Sequence, residues 1–220
     1  MNKEQEILQQ LKGQGFMPLF YNDDASVCID IVKALYAAGV RIVEFTNRGK
    51  NALVNFKQLQ QIRNSEMPDL LLSVGTIHSA KDVDEFIDAG ADFLISPFFD
   101  IAICNAAKQK NVLWIPGCLT PTEIHEAVIN NCNIIKLYPC NVVGTGFVSN
   151  MLELFPTLNI LATGGVALNE TDIAGWFKVG VCSVGFGSKL ITKELMLNKN
   201  YTAIQNNTIA LMNIISNLKK

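Results

Sequence analysis

The chain has 220 residues, 49% of them hydrophobic and 17% charged, with a net charge of −2. That balance excludes the basic excess of a nucleic-acid binder and the low hydrophobicity of a disordered chain, so small molecules or proteins are the expected partners. No apolar run reaches the roughly 18 residues of a membrane span.

The N-terminal M-N-K-E-Q-E-I-L-Q-Q-L-K has an amphipathic helical pattern and no apolar leader region, which points to a cytoplasmic protein. Eight β-rich runs follow: G-F-M-P-L-F (15–20), V-R-I-V-E-F (40–45), L-L-L-S-V-G (70–75), D-F-L-I-S (92–96), V-L-W-I-P (112–116), N-I-I-K-L-Y (133–138), N-I-L-A-T (159–163) and V-C-S-V-G (181–185). Each gap between them holds a stretch of helical periodicity, as in S-V-C-I-D-I-V-K-A-L-Y-A-A-G. Such alternation predicts parallel strands joined by crossover helices. A weak repeat supports it, with a glycine between helix and strand in A-A-G-V-R-I-V-E-F, D-A-G-A-D-F-L-I-S and K-V-G-V-C-S-V-G-F. Glycine there supplies the left-handed turn at a helix end. Eight units predict an α/β (β/α)8 TIM barrel, one domain over 1–220, with an open doubly wound sheet as the alternative. An N-terminal helix precedes the strands, and an extra amphipathic helix over about 199–218 is expected to pack outside.

The six cysteines (Cys28, Cys104, Cys118, Cys132, Cys140, Cys182) lack a C-x-x-C pair and lie mostly in apolar stretches, as reduced thiols packed as small hydrophobes do. His78 and His125 are too few for a three-histidine metal centre, and no metal or cofactor is expected.

In such a barrel the chemistry collects at the C-terminal strand ends. Glu44, Thr46 and Arg48 fall there for the second strand, Gly75 and Thr76 for the third, Ser96 and Pro97 for the fourth, and Thr120 after the fifth. Thr163-Gly164-Gly165 ends the seventh strand and Gly185-Phe186-Gly187-Ser188 the eighth. These two glycine turns, each expected to open a helix, expose backbone N–H groups suited to a phosphate.

Period two puts Ile134, Lys136 and Tyr138 on one face of the sixth strand, with Ile135 and Leu137 on the other. A buried ammonium must either shift its pKa down or pair with an acid, and a neutral lysine amine can form a Schiff base with a ketone. Glu44 could shuttle protons for that chemistry, and Arg48 could grip a carboxylate with two parallel hydrogen bonds. A Glu44–Arg48 ion pair in a loop is the bland alternative.

Together V-E-F-T-N-R-G (43–49), V-G-T (74–76), I-S-P (95–97), I-P-G-C-L-T-P-T-E (115–123), I-K-L-Y-P (135–139), T-G-G-V (163–166) and V-G-F-G-S-K-L (184–190) resemble the 2-keto-3-deoxy-6-phosphogluconate (KDPG) / 4-hydroxy-2-oxoglutarate (KHG) aldolase family. The resemblance covers about residues 10 to 195. It implies a metal-independent class I pyruvate aldolase that assembles as a homotrimer and acts on a small 2-keto acid; composition adds the expectation of no nucleic acid or membrane partner. Lys136 would be the Schiff-base lysine and Glu44 the general acid/base. Arg48 and Thr76 would hold the pyruvate carboxylate, with Pro97 and Tyr138 shaping the pocket and Thr163 near the substrate. Gly164, Gly165, Gly187 and Ser188 would cradle the phosphate. The chain departs from the family pattern at Ala162, Tyr138 and C-N-V-V-G-T-G (140–146). Alternatives are cleavage of the galactonate-derived epimer and a non-catalytic phosphosugar-binding barrel.

Overall fold

A computed structural model describes residues 3–219; Met1 and Asn2, where the amphipathic pattern begins, and Lys220 lie outside the described residues. The expected N-terminal helix runs over Lys3–Gln14 (α1) and leads through Gly15 into the first strand. The strands are β1 (Phe16–Phe20), β2 (Ile42–Thr46), β3 (Leu71–Gly75), β4 (Leu94–Ile95), β5 (Trp114–Ile115), β6 (Gly117–Cys118), β7 (Ile134–Leu137), β8 (Asn159–Thr163) and β9 (Ser183–Phe186). All pair in parallel in the order β5-β4-β3-β2-β1-β9-β8-β7-β6.

The fifth expected strand is split at Pro116, which has no N–H to give to a ladder. Before the break, Leu94 pairs with Trp114 and Ile95 with Ile115. After it, Gly117 pairs with Lys136 and Cys118 with Leu137. The Pro116 carbonyl accepts from the Lys136 N–H at 2.8 Å. The two ends of the strand order are therefore consecutive in the chain, and the sheet closes into a barrel.

Helices α2 (Ala25–Ala37), α3 (Ala52–Glu66), α4 (Ala80–Asp88), α5 (Ile101–Gln109), α6 (Pro121–Ile129), α7 (Cys140–Leu154) and α8 (Glu170–Lys178) fill the crossovers. A short α9 (Lys193–Leu197) precedes α10 (Tyr201–Leu218). As expected, α10 lies outside the strands, and its contacts with α2, α8 and α9 set it between the last and first helices of the ring.

Local chemistry fixes the helix ends. Asp24, Ser79, Asp100, Thr120 and Asn169 cap the starts of α2, α4, α5, α6 and α8, each side chain accepting a backbone N–H one turn in. Gly39, Gly90 and Gly180 end α2, α4 and α8 with φ of 103°, 95° and 95°, as the repeat predicted. Asn111 and Asn131, at φ 52° and 64°, do the same after α5 and α6.

The barrel wall separates two apolar cores. Outward residues such as Val43, Phe45, Leu72, Ile135, Leu137, Ile160 and Val184 pack under the helices. Inside, Met17, Ile42, Phe93, Ile95, Ile115, Ile134 and Leu161 form a plug that Ile7 and Leu11 of α1 close from below. Both α1 residues are fully buried, worth about 1.5–3 kcal/mol each.

Candidate active site

One step of two residues toward the C-terminal strand ends turns the barrel interior from apolar to polar. Ile42 gives way to Glu44, Ile134 to Lys136 and Leu161 to Thr163, each pair on the same face of its strand. Glu44 is 0% exposed and Lys136 only 5%. They sit on strands separated by β1, β9 and β8, and their side chains meet across the interior. Lys136 Nζ lies 3.2 Å from Glu44 Oε1 and 3.4 Å from Oε2. Burial of the ammonium is thus compensated by an acid, the second of the two routes open to it. The ring of Tyr138, just beyond β7, has its centroid 5.5 Å from Nζ, a cation–π distance. No Glu44–Arg48 ion pair forms among the described residues; Arg48 is exposed on the loop after β2.

Two glycines of the strand motifs leave room for the polar side chains. A Cβ on Gly75 would lie 1.7 Å from Glu44 Oε1, so the carboxylate crosses β3 where only a glycine leaves room. A Cβ on Gly185 would fall 2.4 Å from Thr163 Oγ1 on the paired strand. The Thr163 hydroxyl is buried and has no hydrogen-bond partner among the described residues. Glycine inside a strand weakens it, and Gly185 within β9 is such an oddity, a sequence signal that marks close approach.

The remaining site candidates stand around this centre on the C-terminal rim. Thr76 follows β3 directly and holds φ at 64°, unusual for a branched residue. Pro97 follows β4, and its backbone packs so closely on Gly117 that a Cβ there would be 2.2 Å from the Pro97 carbonyl carbon. Neither Arg48, Thr76 nor Pro97 bonds to the Lys136–Glu44 pair among the described residues.

The two glycine turns follow their strands, but neither opens a regular helix directly, which corrects the sequence expectation. Gly164 and Gly165, at φ 95° and 88°, are followed by four residues before α8, because Asn169 caps that helix later. After β9, the Leu190 and Ile191 N–H groups close a turn onto the Gly187 carbonyl, and Thr192 caps α9 further on. Anion binding there would rely on the turns' own N–H groups.

Other groups of the molecule are less suited to chemistry. Burial pushes the thiols of Cys28, Cys132, Cys140 and Cys182 up to about 12, so they stay protonated near neutral pH. All six cysteines are free. Among the described residues, no group of three or more His, Cys, Asp or Glu is placed to hold a metal ion. A cavity of about 640 Å³ opens at the opposite end, lined by Lys3, Asp92, Lys108, Cys132 and Asn133 among others, and contains none of the candidate residues. The buried ion pair lies at the C-terminal end of the barrel, away from this cavity.

Acids from the first helical turns steady that end. The Asp82 carboxylate accepts from the His78 N–H, Glu123 from the N–H groups of Leu119 and Thr120, and Asp172 from Ala167. Four βα loops are held in this way or by the Asp100 cap.

Comparison with known proteins now adds to the geometry. The family model for KDPG and KHG aldolase matches residues 7–207. The chain is 26% identical to a 2-dehydro-3-deoxy-phosphogluconate aldolase of Haemophilus influenzae, over 91% of this chain and 92% of that one. It is 27% identical to a probable 2-dehydro-3-deoxy-6-phosphogalactonate aldolase of Rhizobium meliloti, over 73% and 74% of the two chains. In fold it is similar to KDPG aldolase from Legionella pneumophila, a structure with pyruvate captured as a covalent carbinolamine intermediate. That likeness has a TM-score of 0.84 at 23% identity and covers 93% of this chain and 97% of the other.

Proposed function

The chain belongs to the KDPG and KHG aldolase family, carbon–carbon lyases, and on that premise we infer that it is a class I pyruvate aldolase with Lys136 as its nucleophile. The substrate is 2-dehydro-3-deoxy-6-phosphogluconate, 4-hydroxy-2-oxoglutarate or both. The observation that carries this reading is the buried Lys136–Glu44 pair at 3.2 Å, set where the apolar plug ends. A barrel that only bound phosphosugars would have no use for it.

In this mechanism Glu44 takes the ammonium proton, and the neutral Lys136 amine adds to the C2 ketone to give a carbinolamine. Glu44 returns that proton to the carbinolamine hydroxyl, and loss of water leaves a protonated imine with Glu44 again a carboxylate. Glu44, through a water, removes the C4 hydroxyl proton; the C3–C4 bond breaks and its electron pair flows into the imine, giving an enamine. The C4 fragment leaves as an aldehyde, glyceraldehyde 3-phosphate or glyoxylate. Protonation of the enamine at C3 and hydrolysis of the imine return Lys136 and release pyruvate. Arg48 and Thr76 hold the pyruvate carboxylate, Pro97, Tyr138 and Thr163 shape the pocket, and Gly164, Gly165, Gly187 and Ser188 receive the phosphate. Family membership also supports a homotrimer, and no helix among the described residues is long and apolar enough to cross a membrane. The expected cytoplasmic setting belongs to the same reading.

Borohydride reduction in the presence of pyruvate is expected to leave a reduced pyruvyl adduct on Lys136 alone, located by peptide mass. No adduct, or one elsewhere, rejects the assignment. The galactonate epimer is a second reading, favoured by the similar identities to relatives of both names. Pyruvate release from both epimers and from 4-hydroxy-2-oxoglutarate, assayed side by side with and without chelator, separates the cases.

A further inference from the structure

The segment 140–146, one of three departures expected from the sequence, is built against the first glycine turn. Gly144, at φ 72° and ψ 179°, interrupts α7 and sets its first turn, Cys140 to Val143, apart from the rest. That first turn is tied to one acceptor: the Asn141 N–H donates to the Gly164 carbonyl at 3.1 Å, and the Cys140 Sγ–H donates to it at 3.2 Å. In a trans peptide the carbonyl and the following N–H point in opposite directions. With its Gly164 carbonyl turned toward α7, that peptide directs the Gly165 N–H away from α7. No hydrogen-bond partner for the Gly165 N–H is found among the described residues.

The Asn141 side chain then lies flat against this turn. A Cβ built on Gly165 would meet Asn141 Cγ at 2.3 Å and Nδ2 at 2.8 Å, so the carboxamide occupies the space a side chain at 165 would take. The residue is exposed, and its carboxamide has no hydrogen-bond partner among the described residues. An exposed neutral amide is thus held against the Cα side of Gly165, at the turn where the proposed function puts a phosphate.

We propose that Asn141 is a specificity-determining residue that donates its side-chain N–H to the substrate's terminal phosphoryl group, next to Gly165. This rests on the reading of the two glycine turns as the phosphate site. It adds a side-chain donor to a cradle otherwise made of backbone groups and the Ser188 hydroxyl. The contact is available to a 2-keto acid with a phosphate at C6; 4-hydroxy-2-oxoglutarate has no group at that distance. Asn141 should therefore set the preference between the two substrate types.

The test compares Asn141→Asp and Asn141→Ala with the wild type on both substrates, with thermal midpoints measured in parallel. Asn141→Asp keeps the side-chain volume but places a carboxylate against a phosphate. It should raise the ratio of the phosphorylated to the unphosphorylated KM by about 10- to 100-fold, less so at high salt. Asn141→Ala should raise that ratio by about 10-fold, the lower end of the worth of a hydrogen bond to a charged acceptor. A purely structural role would shift both KM values together and leave the ratio flat, with no salt dependence, and either result overturns the proposal. Inorganic phosphate, tested as an inhibitor of the wild type, separates this failure from that of the underlying reading. If phosphate inhibits but the ratio stays flat, Asn141 alone is wrong. If phosphate does not inhibit and the wild type shows no preference for the phosphorylated substrate, the phosphate site itself is wrong and the proposal falls with it.

Discussion

The two halves of the barrel interior share strands, faces and depth, yet have opposite chemistry. In the lower half Met17, Ile42, Phe93, Ile95, Ile115, Ile134 and Leu161 pack against Ile7 and Leu11 of α1, with the buried Ser183, paired with Leu161, as a small polar exception. In the upper half Glu44, Lys136 and Thr163 stand two residues further along three of the same strands, all less than one-tenth exposed. The lower plug fixes where along the strands the polar groups begin. With α1 sealing the far end, the ammonium and carboxylate face an interior of low polarity, and there each is the other's best partner. The upper half holds buried polar groups that the proposed function uses; the lower half supplies packing.

The comparison is most sharply broken by a methyl group on Gly75. The added Cβ of Gly75→Ala would overlap Glu44 Oε1, at 1.7 Å, and so push the carboxylate off Lys136 without altering either residue. Because general acid–base assistance contributes about 10²- to 10⁴-fold, kcat is expected to fall in that range. Glu44→Gln is expected to fall alongside it, and a proton-transfer defect should show as an altered pH–rate profile. Wild-type kcat in Gly75→Ala would mean that the crossing of β3 by Glu44 is incidental.

The complementary change is Leu11→Ala, which opens the plug from below. Leu11 is fully buried, so the cost in unfolding free energy should be about 2–5 kcal/mol, measured by urea titration. Turnover per folded molecule should stay within about twofold, because the lost side chain packs on the apolar layer and not on the reactive pair. A kcat loss as deep as that of Gly75→Ala would show that the halves are not separable.

Much of this division was legible in residue order. Period two placed Ile134 and Lys136 on one face and Ile135 and Leu137 on the other, and the two clusters divide them in that way. Gly39, Gly90 and Gly180 marked helix ends because a positive φ asks for glycine. The same rule missed Asn111 and Asn131, whose side chains also tolerate that backbone. Three features required knowing what lies across space. Pro116 announces a break but not that the chain beyond it changes neighbours from β4 to β7. Gly75 looks like an ordinary strand end until Glu44 is seen to cross it. The glycine turns looked like helix openings because the caps that start the helices, Asn169 and Thr192, lie several residues on.

The smallest expected effect concerns how the two ends respond to acid. At the mouth, Glu123 completes a capping box with Thr120 and accepts the N–H groups of Leu119 and Thr120 at 2.7 and 2.9 Å. Partial burial tends to raise its pKa, but the two backbone N–H groups and the Thr120 hydroxyl outweigh it and hold the carboxyl below its ordinary value of 4.5. A depressed folded pKa means the unfolded chain takes up the proton first. The stabilisation is therefore present above about pH 4.5 and is lost as pH falls through the lower folded value. Glu123→Gln should cost about 0.5–1.5 kcal/mol at pH 7, and the difference from wild type should shrink toward pH 3, followed by urea unfolding at each pH. The Leu11→Ala deficit, which involves no charge, should change little over the same interval. If the Glu123→Gln deficit is as large at pH 3 as at pH 7, the mouth is held by amide-like hydrogen bonding alone, and charge does not distinguish it from the plug.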